Sequence, residues 1–372
     1  MSVRVLFACL LAFWGSSFVI VAQDKKTSKS DEDEVIRVDT ELVEVPIVVT
    51  DSGGKAVLNL KQANFTVSEN GKLQEITDFS ATSAPFEVAL LLDTSGSARA
   101  DLQLIQRSAQ NFINALRAGD RVSIVAFKTE VKEKRAGPVV ELVTGLTDDR
   151  AALRSALERV NTSNGTPFYD GILKIVESVF NDSPRAEFRG RRALVALTDG
   201  VDSTSLSDFD EVKEGLEKAG IICYFIKVNT REYFEQNLLG DCEIAIRFSA
   251  AQIRRYYKKF SPNAKIERTA DFCQLGDFER LDVSKKLYEL ADTEMNMLAR
   301  TSGGKVFPVG DLSEARVAFK SVADEIGTKY SLGYYSSNEK RDGSYRKIQV
   351  GVKGLPAGAK VRAREGYTAP AN

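Results

Sequence analysis

The sequence has no histidine among its 372 residues. Serine–histidine and cysteine–histidine catalysis both require an imidazole, as do His-ligated zinc sites and the HExxH metalloprotease motif, so these classes are excluded. If the protein binds a metal ion, oxygen ligands must hold it. The chain also has no excess of either charge, because 51 Lys and Arg stand against 52 Asp and Glu. A general preference for nucleic acid or for an anionic membrane is therefore not indicated.

Apolar runs of membrane-spanning length are missing after the first residues. Residues 1–22 combine Arg4 with a short apolar stretch and end in the small residue Ala22, which is typical of a signal peptide cleaved before Gln23. The alternative is an uncleaved anchor, but the stretch is short for a span of about 20 residues. Residues 23–34 are polar and are predicted to be a flexible linker. We therefore expect a secreted or periplasmic protein with no transmembrane segment after cleavage.

Cysteine is scarce, with four in the sequence, and Cys9 lies within the predicted signal peptide. Cys223 lies in the apolar run IICYFIKV and is predicted to be a buried thiol on a strand. Cys242 and Cys273 flank a polar segment, and in an oxidising compartment they could pair. The odd count fits one disulfide and one buried thiol.

Both ends of the mature chain, residues 35–84 and 328–372, read as antiparallel β structure. Asn70-Gly71 separates two alternating runs and is a strong hairpin signal. Each end alone provides roughly 45 residues, which is marginal for an independent core. We therefore expect the two segments to form a single β-sandwich module.

Residues 85–327 alternate short apolar strands with amphipathic helices. This order predicts an α/β fold with a doubly wound, mainly parallel sheet covered on both faces, flanked by the all-β module. Such sheets bind ligands outside the carboxyl ends of their strands. Residues 231–285 interrupt the alternation and are predicted to be an insertion, with the next helix expected to start near Leu287.

Carboxylates and hydroxyls follow the predicted strands at this carboxyl edge. The run FEVALLL leads into the sequence DTSGS, a loop before a helix contains a threonine, and the run ALVALT is followed by an aspartate. The pattern resembles the metal-ion-dependent adhesion site of the von Willebrand factor A (VWFA) domain, which has D-x-S-x-S, then Thr, then Asp. The matching residues are Asp93, Ser95, Ser97, Thr166 and Asp199.

The flanking segments are similar to those of the exported VWFA-related family described from acidobacteria. The resemblance implies a site for Mg²⁺ or Mn²⁺, in which Ser95 and Ser97 coordinate through neutral hydroxyls and Thr166 coordinates in one state. Asp93 and Asp199 would act partly through water. Few direct anionic ligands leave the cation able to accept a carboxylate from a partner protein or peptide. We expect adhesion-type binding of an acidic residue.

Enzymatic alternatives fit the motif less well, and we expect no catalytic activity. A phosphoryl-transferring haloacid-dehalogenase-type site needs a second Asp where this chain has Ser95. Aspartic proteases need Asp-Thr-Gly in two β lobes, which is the wrong fold pattern. A metal-assisted hydrolase needs more direct carboxylates and a general base. A structural or assembly module of the envelope, without a working metal site, is the other alternative.

The predicted insertion carries a basic and aromatic stretch in an otherwise balanced chain. One interpretation is a solvated helix with its aromatic residues on the core. The other is a positively charged lip that steers acidic partners to the cation. The candidate ligand-binding residues are Arg254, Arg255, Lys258 and Lys259.

Overall fold

The computed structural model describes residues 42–81, 84–95, 102–132, 135–263 and 271–371. The strands are β1 (Leu42–Thr50), β2 (Phe65–Glu69), β3 (Lys72–Gln74), β4 (Asp78–Ser80), β5 (Glu87–Leu92), β6 (Arg121–Lys132), β7 (Arg135–Thr147), β8 (Arg192–Thr198), β9 (Ile222–Val228), β10 (Lys305–Val309), β11 (Tyr330–Tyr335), β12 (Tyr345–Val352), β13 (Lys360–Ala363) and β14 (Gly366–Thr368). The helices are α1 (Leu102–Ala115), α2 (Arg150–Glu158), α3 (Phe168–Ser178), α4 (Phe209–Lys218), α5 (Arg231–Gln236), α6 (Ala250–Phe260), α7 (Asp277–Ser302) and α8 (Ala315–Ile326). The predicted signal peptide and linker lie outside the described residues.

The central sheet has the strand order β10-β9-β8-β5-β6-β7 among the described residues. Strands β5 and β8 are buried along their whole length, as their continuous apolar sequences predict for parallel strands covered on both faces. Phe112 and Phe319 pack on one face of the sheet, and Ile172 and Leu298 pack on the other. The predicted α/β fold is confirmed. Strand β7 is antiparallel to β6, because the two are joined by a short hairpin rather than a helical crossover.

The two ends of the chain form the predicted all-β module. One sheet has the order β13-β1-β11-β4 and the other β14-β12-β2-β3, so each contains strands from both ends. Val45, Phe65, Tyr330 and Leu332 are buried in the core that the two sheets share. The predicted hairpin is present as well, because β2 pairs with β3 and both residues of the Asn70-Gly71 turn have positive φ, 48° and 84°.

A buried arginine joins the all-β module to the central sheet. Arg191, directly before β8, is fully buried and donates hydrogen bonds to the carbonyls of Pro85 (3.0 Å) and Lys329 (2.9 Å). Its guanidinium also lies 4.2 Å from the ring centroid of Phe86. Burial lowers the pKa of Arg191 to about 10. These bonds compensate the desolvated charge and tie the starts of β5 and β11 together.

The predicted insertion has its own small core. Leu238, Phe248, Ile253 and Phe272 are buried together against the first half of α7. This helix begins at Asp277, ten residues before the predicted Leu287. Its start is stabilised by the Glu279 carboxylate, which accepts a hydrogen bond of 3.1 Å from the backbone of Gly276. The prediction was wrong here because the first turns are mostly polar. Within the described residues, no helix is both long and apolar enough to cross a membrane.

Candidate functional site

Asp93 and Asp199 follow neighbouring parallel strands, β5 and β8, at the carboxyl edge of the sheet. The backbone N–H of Asp93 continues the ladder by donating a 3.0 Å hydrogen bond to the carbonyl of Leu197. The side chain of Asp93 is buried, and that of Asp199 is half-buried. The sheet therefore brings both predicted carboxylates to one place.

Hydrogen bonds to both oxygens fix the carboxyl group of Asp93. Its Oδ1 accepts from the backbone N–H of Ser95 at 3.0 Å, and its Oδ2 accepts from the hydroxyl of Thr198 at 2.8 Å. That hydroxyl also accepts from the N–H of Gly200 at 2.9 Å, so the proton of Thr198 is directed toward Asp93. Thr198 was not among the predicted site residues, although it ends a strand beside one of them.

Asp199 is held by residues that the sequence did not identify. Its Oδ1 accepts from the N–H of Val201 at 2.9 Å, and its Oδ2 accepts from the hydroxyl of Thr230 at 2.5 Å. The hydroxyls of Thr230 and Tyr288 lie 2.9 Å apart. Thr230 lies two residues after β9, the next strand in the sheet, and this position is the signal that could have found it.

The pKa values of the carboxyl groups of Asp93 and Asp199 are both raised. Burial, together with the negative charge of Asp199, raises the pKa of Asp93 to about 7. Burial also raises the pKa of Asp199, and the hydrogen bond from Thr230 offsets part of that effect. A positive charge placed between the two groups would stabilise their ionised forms.

Two further loops are joined to the Asp93 loop and surround Thr166. The N–H of Thr166 donates to Oγ of Ser203 at 2.7 Å, and the N–H of Ser203 donates to the carbonyl of Thr166 at 2.9 Å. The N–H of Ser163 donates to the carbonyl of Thr94 at 2.8 Å. The loops that carry Ser95, Thr166 and Asp199 are thus connected to one another. Ser97 lies outside the described residues.

Asp202 binds the start of the helix that follows Thr166. Its Oδ2 accepts hydrogen bonds from the N–H groups of Phe168 (2.8 Å) and Tyr169 (3.2 Å), the first residues of α3. A carboxylate at this place satisfies free N–H groups and favours the helix dipole. The loop after β8 therefore anchors the start of α3, directly after Thr166.

The predicted basic residues of α6 divide into two groups. Arg254, Lys258 and Lys259 are exposed. Arg255 instead points inward, where it forms an ion pair with Glu294 (2.8 Å) and donates to the hydroxyl of Tyr169. Helical phase separates Arg255 from Arg254 and Lys258, because residues four apart share a face and adjacent residues do not. Lys259 is exposed in the last turn of the helix. Arg255 therefore lacks the free guanidinium that a contact with an external ligand needs.

The cysteines are arranged as predicted. Cys242 and Cys273 form a disulfide with a Cα–Cα distance of 5.3 Å, and Cys223 is a buried free thiol on β9. Glu243 lies beside the disulfide, within 4.8 Å of both sulfurs. Because the two sulfurs are bonded to each other, they cannot act as thiolate ligands for a metal ion.

The chemistry of the carboxyl edge suits a hard cation. Asp93 and Asp199 offer carboxylate oxygens, and Ser95 and Thr166 offer hydroxyls. Mg²⁺ and Mn²⁺ prefer such oxygen ligands, and a cation nearby would stabilise the ionised forms of two neighbouring carboxyl groups. These four side chains could hold a divalent ion.

Solved structures that this chain matches at low identity include proximal thread matrix protein 1 from the mussel byssus, at 15% identity and a TM-score of 0.41. The match covers 68% of this chain and 49% of that protein, so this chain spans about half of its length. A von Willebrand factor type A protein from Catenulispora acidiphila has 11% identity, coverage of 90% and 75%, and a TM-score of 0.42. The conserved hypothetical protein BatB from Bacteroides thetaiotaomicron has 18% identity, coverage of 65% and 98%, and a TM-score of 0.37. These likenesses are too distant to carry an argument about function.

Sequence comparison gives the family. No curated protein sequence matches this chain at a significant level. The sequence model of the von Willebrand factor type A domain matches residues 88–201, which run from β5 to the loop after β8 and include Asp93, Ser95, Thr166 and Asp199. Residues 88–201 therefore correspond to a von Willebrand factor type A domain.

Proposed function

We propose that this protein is exported and binds a partner protein or peptide through a divalent cation, Mg²⁺ or Mn²⁺, at the carboxyl edge of the central sheet. An acidic side chain of the partner completes the coordination of the cation. A von Willebrand factor type A domain suggests protein–protein interaction or adhesion. The divalent cation, the acidic ligand and export are what we propose beyond this general role.

The observation that carries the proposal is the pair of neighbouring carboxyl groups, Asp93 and Asp199, with hydroxyl groups beside them. The pKa of each is raised by burial, and Asp199 adds to the effect on Asp93. A divalent cation would relieve this unfavourable charge. Neutral hydroxyl ligands from Ser95 and Thr166 would leave much of the charge of the cation uncompensated, and a carboxylate from a partner would then bind to it.

The exposed basic residues support the choice of an acidic partner. Arg254 and Lys258 lie one turn apart on α6, with Lys259 next to them. The helix begins near the candidate site, since Ser249 before its first turn donates a 2.6 Å hydrogen bond to the carbonyl of Ser203. Positive charge at this place would attract an acidic partner and speed association. The Cys242–Cys273 disulfide supports export into an oxidising compartment.

Titration with Mn²⁺ tests the cation directly, by calorimetry and by the melting temperature. We expect the melting temperature to rise with Mn²⁺ or Mg²⁺, because binding to the folded state stabilises it. Asp93→Asn and Ser95→Ala should abolish the rise. Asp324→Asn, which removes only an exposed carboxylate paired with Lys320, is the matched control and should leave it intact. A wild-type protein without any cation-dependent shift would overturn the proposal and favour a structural module.

Selection from a random peptide library tests the acidic ligand. Peptides bound in Mg²⁺ and released by a chelator should be enriched in Asp or Glu. Reversing the charge of Arg254, Lys258 and Lys259 together should slow the association of a selected peptide and leave Mn²⁺ affinity unchanged. Enrichment of apolar peptides that a chelator does not release would contradict the proposed recognition.

A further inference from the structure

Helix α6 of the insertion is attached to the Thr166 loop at its first turn. The hydroxyl of Ser249 accepts from the N–H of Gln252 at 3.1 Å, as an N-cap, and donates to the carbonyl of Ser203 at 2.6 Å. Oγ of Ser203 in turn accepts from the N–H of Thr166 at 2.7 Å. A single residue thus separates the cap of α6 from the backbone of Thr166.

A second attachment lies further along the same helix. Arg255 donates to Oε2 of Glu294 at 2.8 Å and to the hydroxyl of Tyr169, and its guanidinium lies 4.5 Å from the centroid of the Tyr169 ring. The hydroxyl of Tyr169 also donates to Oε2 of Glu294 at 2.5 Å. Tyr169 and Glu294 are buried, with exposed fractions of 3% and 8%. This cluster holds Tyr169 between α6 and α7, three residues after Thr166.

The two attachments are connected to Thr166 through different elements. Ser249 reaches it through the loop after β8, and Arg255 reaches it through the first turn of α3. Both come from α6, which lies outside residues 88–201, the part that matches the family model. The insertion therefore contributes to the position of a candidate ligand that belongs to the domain itself.

We propose that α6 is a positioning element for Thr166, and that Ser249 and Arg255 set the affinity of the site for its divalent cation. The inference rests on the proposed function, because it assigns regulation to the same site. Octahedral Mg²⁺ coordination tolerates little displacement of a ligand. Loosening either attachment lets the Thr166 hydroxyl move away from the position that coordination requires, so the cation binds more weakly.

Amide hydrogen exchange in the presence of a chelator tests the mechanical part without any cation. In the full chain, Ser249→Ala and Arg255→Met should raise the exchange rate of residues 163–169 about tenfold, because losing one hydrogen bond shifts the local opening equilibrium by roughly that factor. Arg316→Met changes an exposed arginine on α8 and should leave that exchange unchanged. Asp149→Ala removes the N-cap of α2, where Asp149 accepts from Ala151 at 2.8 Å. It controls for the stability lost with any helix cap.

Calorimetric titration with Mn²⁺ tests the link to affinity. Ser249→Ala and Arg255→Met should each weaken Mn²⁺ binding about tenfold, while Arg316→Met and Asp149→Ala should not change it. Ser249→Thr keeps the hydroxyl and should keep wild-type affinity and exchange, and Asp149→Ala shows what the loss of a cap at another helix does.

The outcomes separate the inference from the proposed function. Unchanged exchange in both variants would overturn the attachment of α6 to the loop. Faster exchange with unchanged Mn²⁺ affinity would overturn the control of cation binding by α6. A wild-type protein that binds no Mn²⁺ would overturn the proposed function and the cation part of the inference together, while the exchange data would still decide whether α6 holds Thr166.

Discussion

The hydroxyl of Thr198 donates a 2.8 Å hydrogen bond to Oδ2 of Asp93, from the end of β8 to the end of the neighbouring strand β5. It is a direct link between the two strands that carry the candidate carboxylates. The bond favours the ionised form of Asp93, yet burial and the charge of Asp199 have the larger effect and raise the pKa of Asp93 to about 7. In the absence of a cation, ionisation of Asp93 near neutral pH therefore destabilises the folded protein.

Replacing Asp93 with asparagine should therefore stabilise the protein in the absence of cations. The unfolded state loses the proton of Asp93 near pH 4, whereas the folded state retains it up to about pH 7, so the wild-type free energy of unfolding falls between these values. At pH 8 Asp93→Asn should be more stable than wild type by at least about 1 kcal/mol, and the difference should shrink toward pH 4. Urea unfolding in a chelator measures this. A variant less stable than wild type at pH 8 would show that ionised Asp93 does not destabilise the folded protein.

Cation affinity should rise with pH. Below about pH 7 the carboxyl group of Asp93 is protonated in the cation-free protein, so a cation must displace a proton. We expect Mn²⁺ affinity to increase up to tenfold per pH unit from pH 5.5 to 7 and to level off above. Calorimetry in buffers of different ionisation enthalpy should show proton release at pH 6 and almost none at pH 8. Release that does not depend on pH would count against this assignment.

The disulfide should contribute substantially to the stability of the insertion. Cys242 and Cys273 are 31 residues apart, and the chain-entropy model gives about 3–4 kcal/mol for a loop of that length. The double variant Cys242→Ser/Cys273→Ser should lose an amount of this order in denaturant unfolding. Peptide mapping without reductant checks the bridge itself, and Cys223→Ala is the control that leaves it intact. Free thiols at both positions in protein produced in an oxidising compartment would show that the bridge does not form.

A buried ion pair in the all-β module should be costly to break. Glu69 and Arg346 lie within 3.4 Å, with side chains 2% and 3% exposed, and the hydroxyls of Tyr334 and Tyr367 each donate to Glu69 at 2.9 Å. Arg346→Leu leaves the Glu69 carboxylate without its cation and should cost about 3–5 kcal/mol. Lys128→Ala breaks a half-exposed pair with Glu141, whose charges solvent screens, and should cost much less. Equal losses in denaturant unfolding would refute the distinction.

Deleting residues 329–372 should unfold the N-terminal strands as well. Strand β1 lies between β11 and β13, and β2 pairs with β12, so the deletion removes both neighbours of β1 and one of β2. Amide exchange in residues 42–80 should then lose its protection, while the central sheet keeps much of its own. Unchanged protection in residues 42–80 would contradict the shared module.

The positions of Asp93 and Asp199 could be predicted because each directly follows an apolar strand sequence. Asp93 and Asp199 each end an apolar run, and the parallel arrangement of β5 and β8 then places them at the same edge. Thr230 and Tyr288 were missed because their roles depend on β9 lying beside β8 and on α7 crossing that edge. Neither fact is visible in a single stretch of sequence.

The basic residues of α6 show a second limit. Composition alone groups Arg254 with Arg255, but the helix turns about 100° between them, so one faces solvent and the other faces Tyr169. The early start of α7 was hidden in a similar way, since Val283 is the buried apolar residue one turn before Leu287 and the residues around it are charged. In both cases tertiary contacts, and not local propensity, decide the outcome.

The pairing within the all-β module also determines when the protein can finish folding. Glu69 and Tyr334, which meet in its core, are separated by 265 residues along the chain. Strands β1 and β2 are synthesised early. Until β11 to β13 are synthesised, the edges of β1 and β2 that pair with these strands lack their partners, and apolar side chains stay exposed. The central domain can fold in the interval, because its own strands lie between the two ends. The module can therefore be completed only after the central domain has been synthesised, and its unpaired early strands could bind a chaperone or aggregate in the meantime.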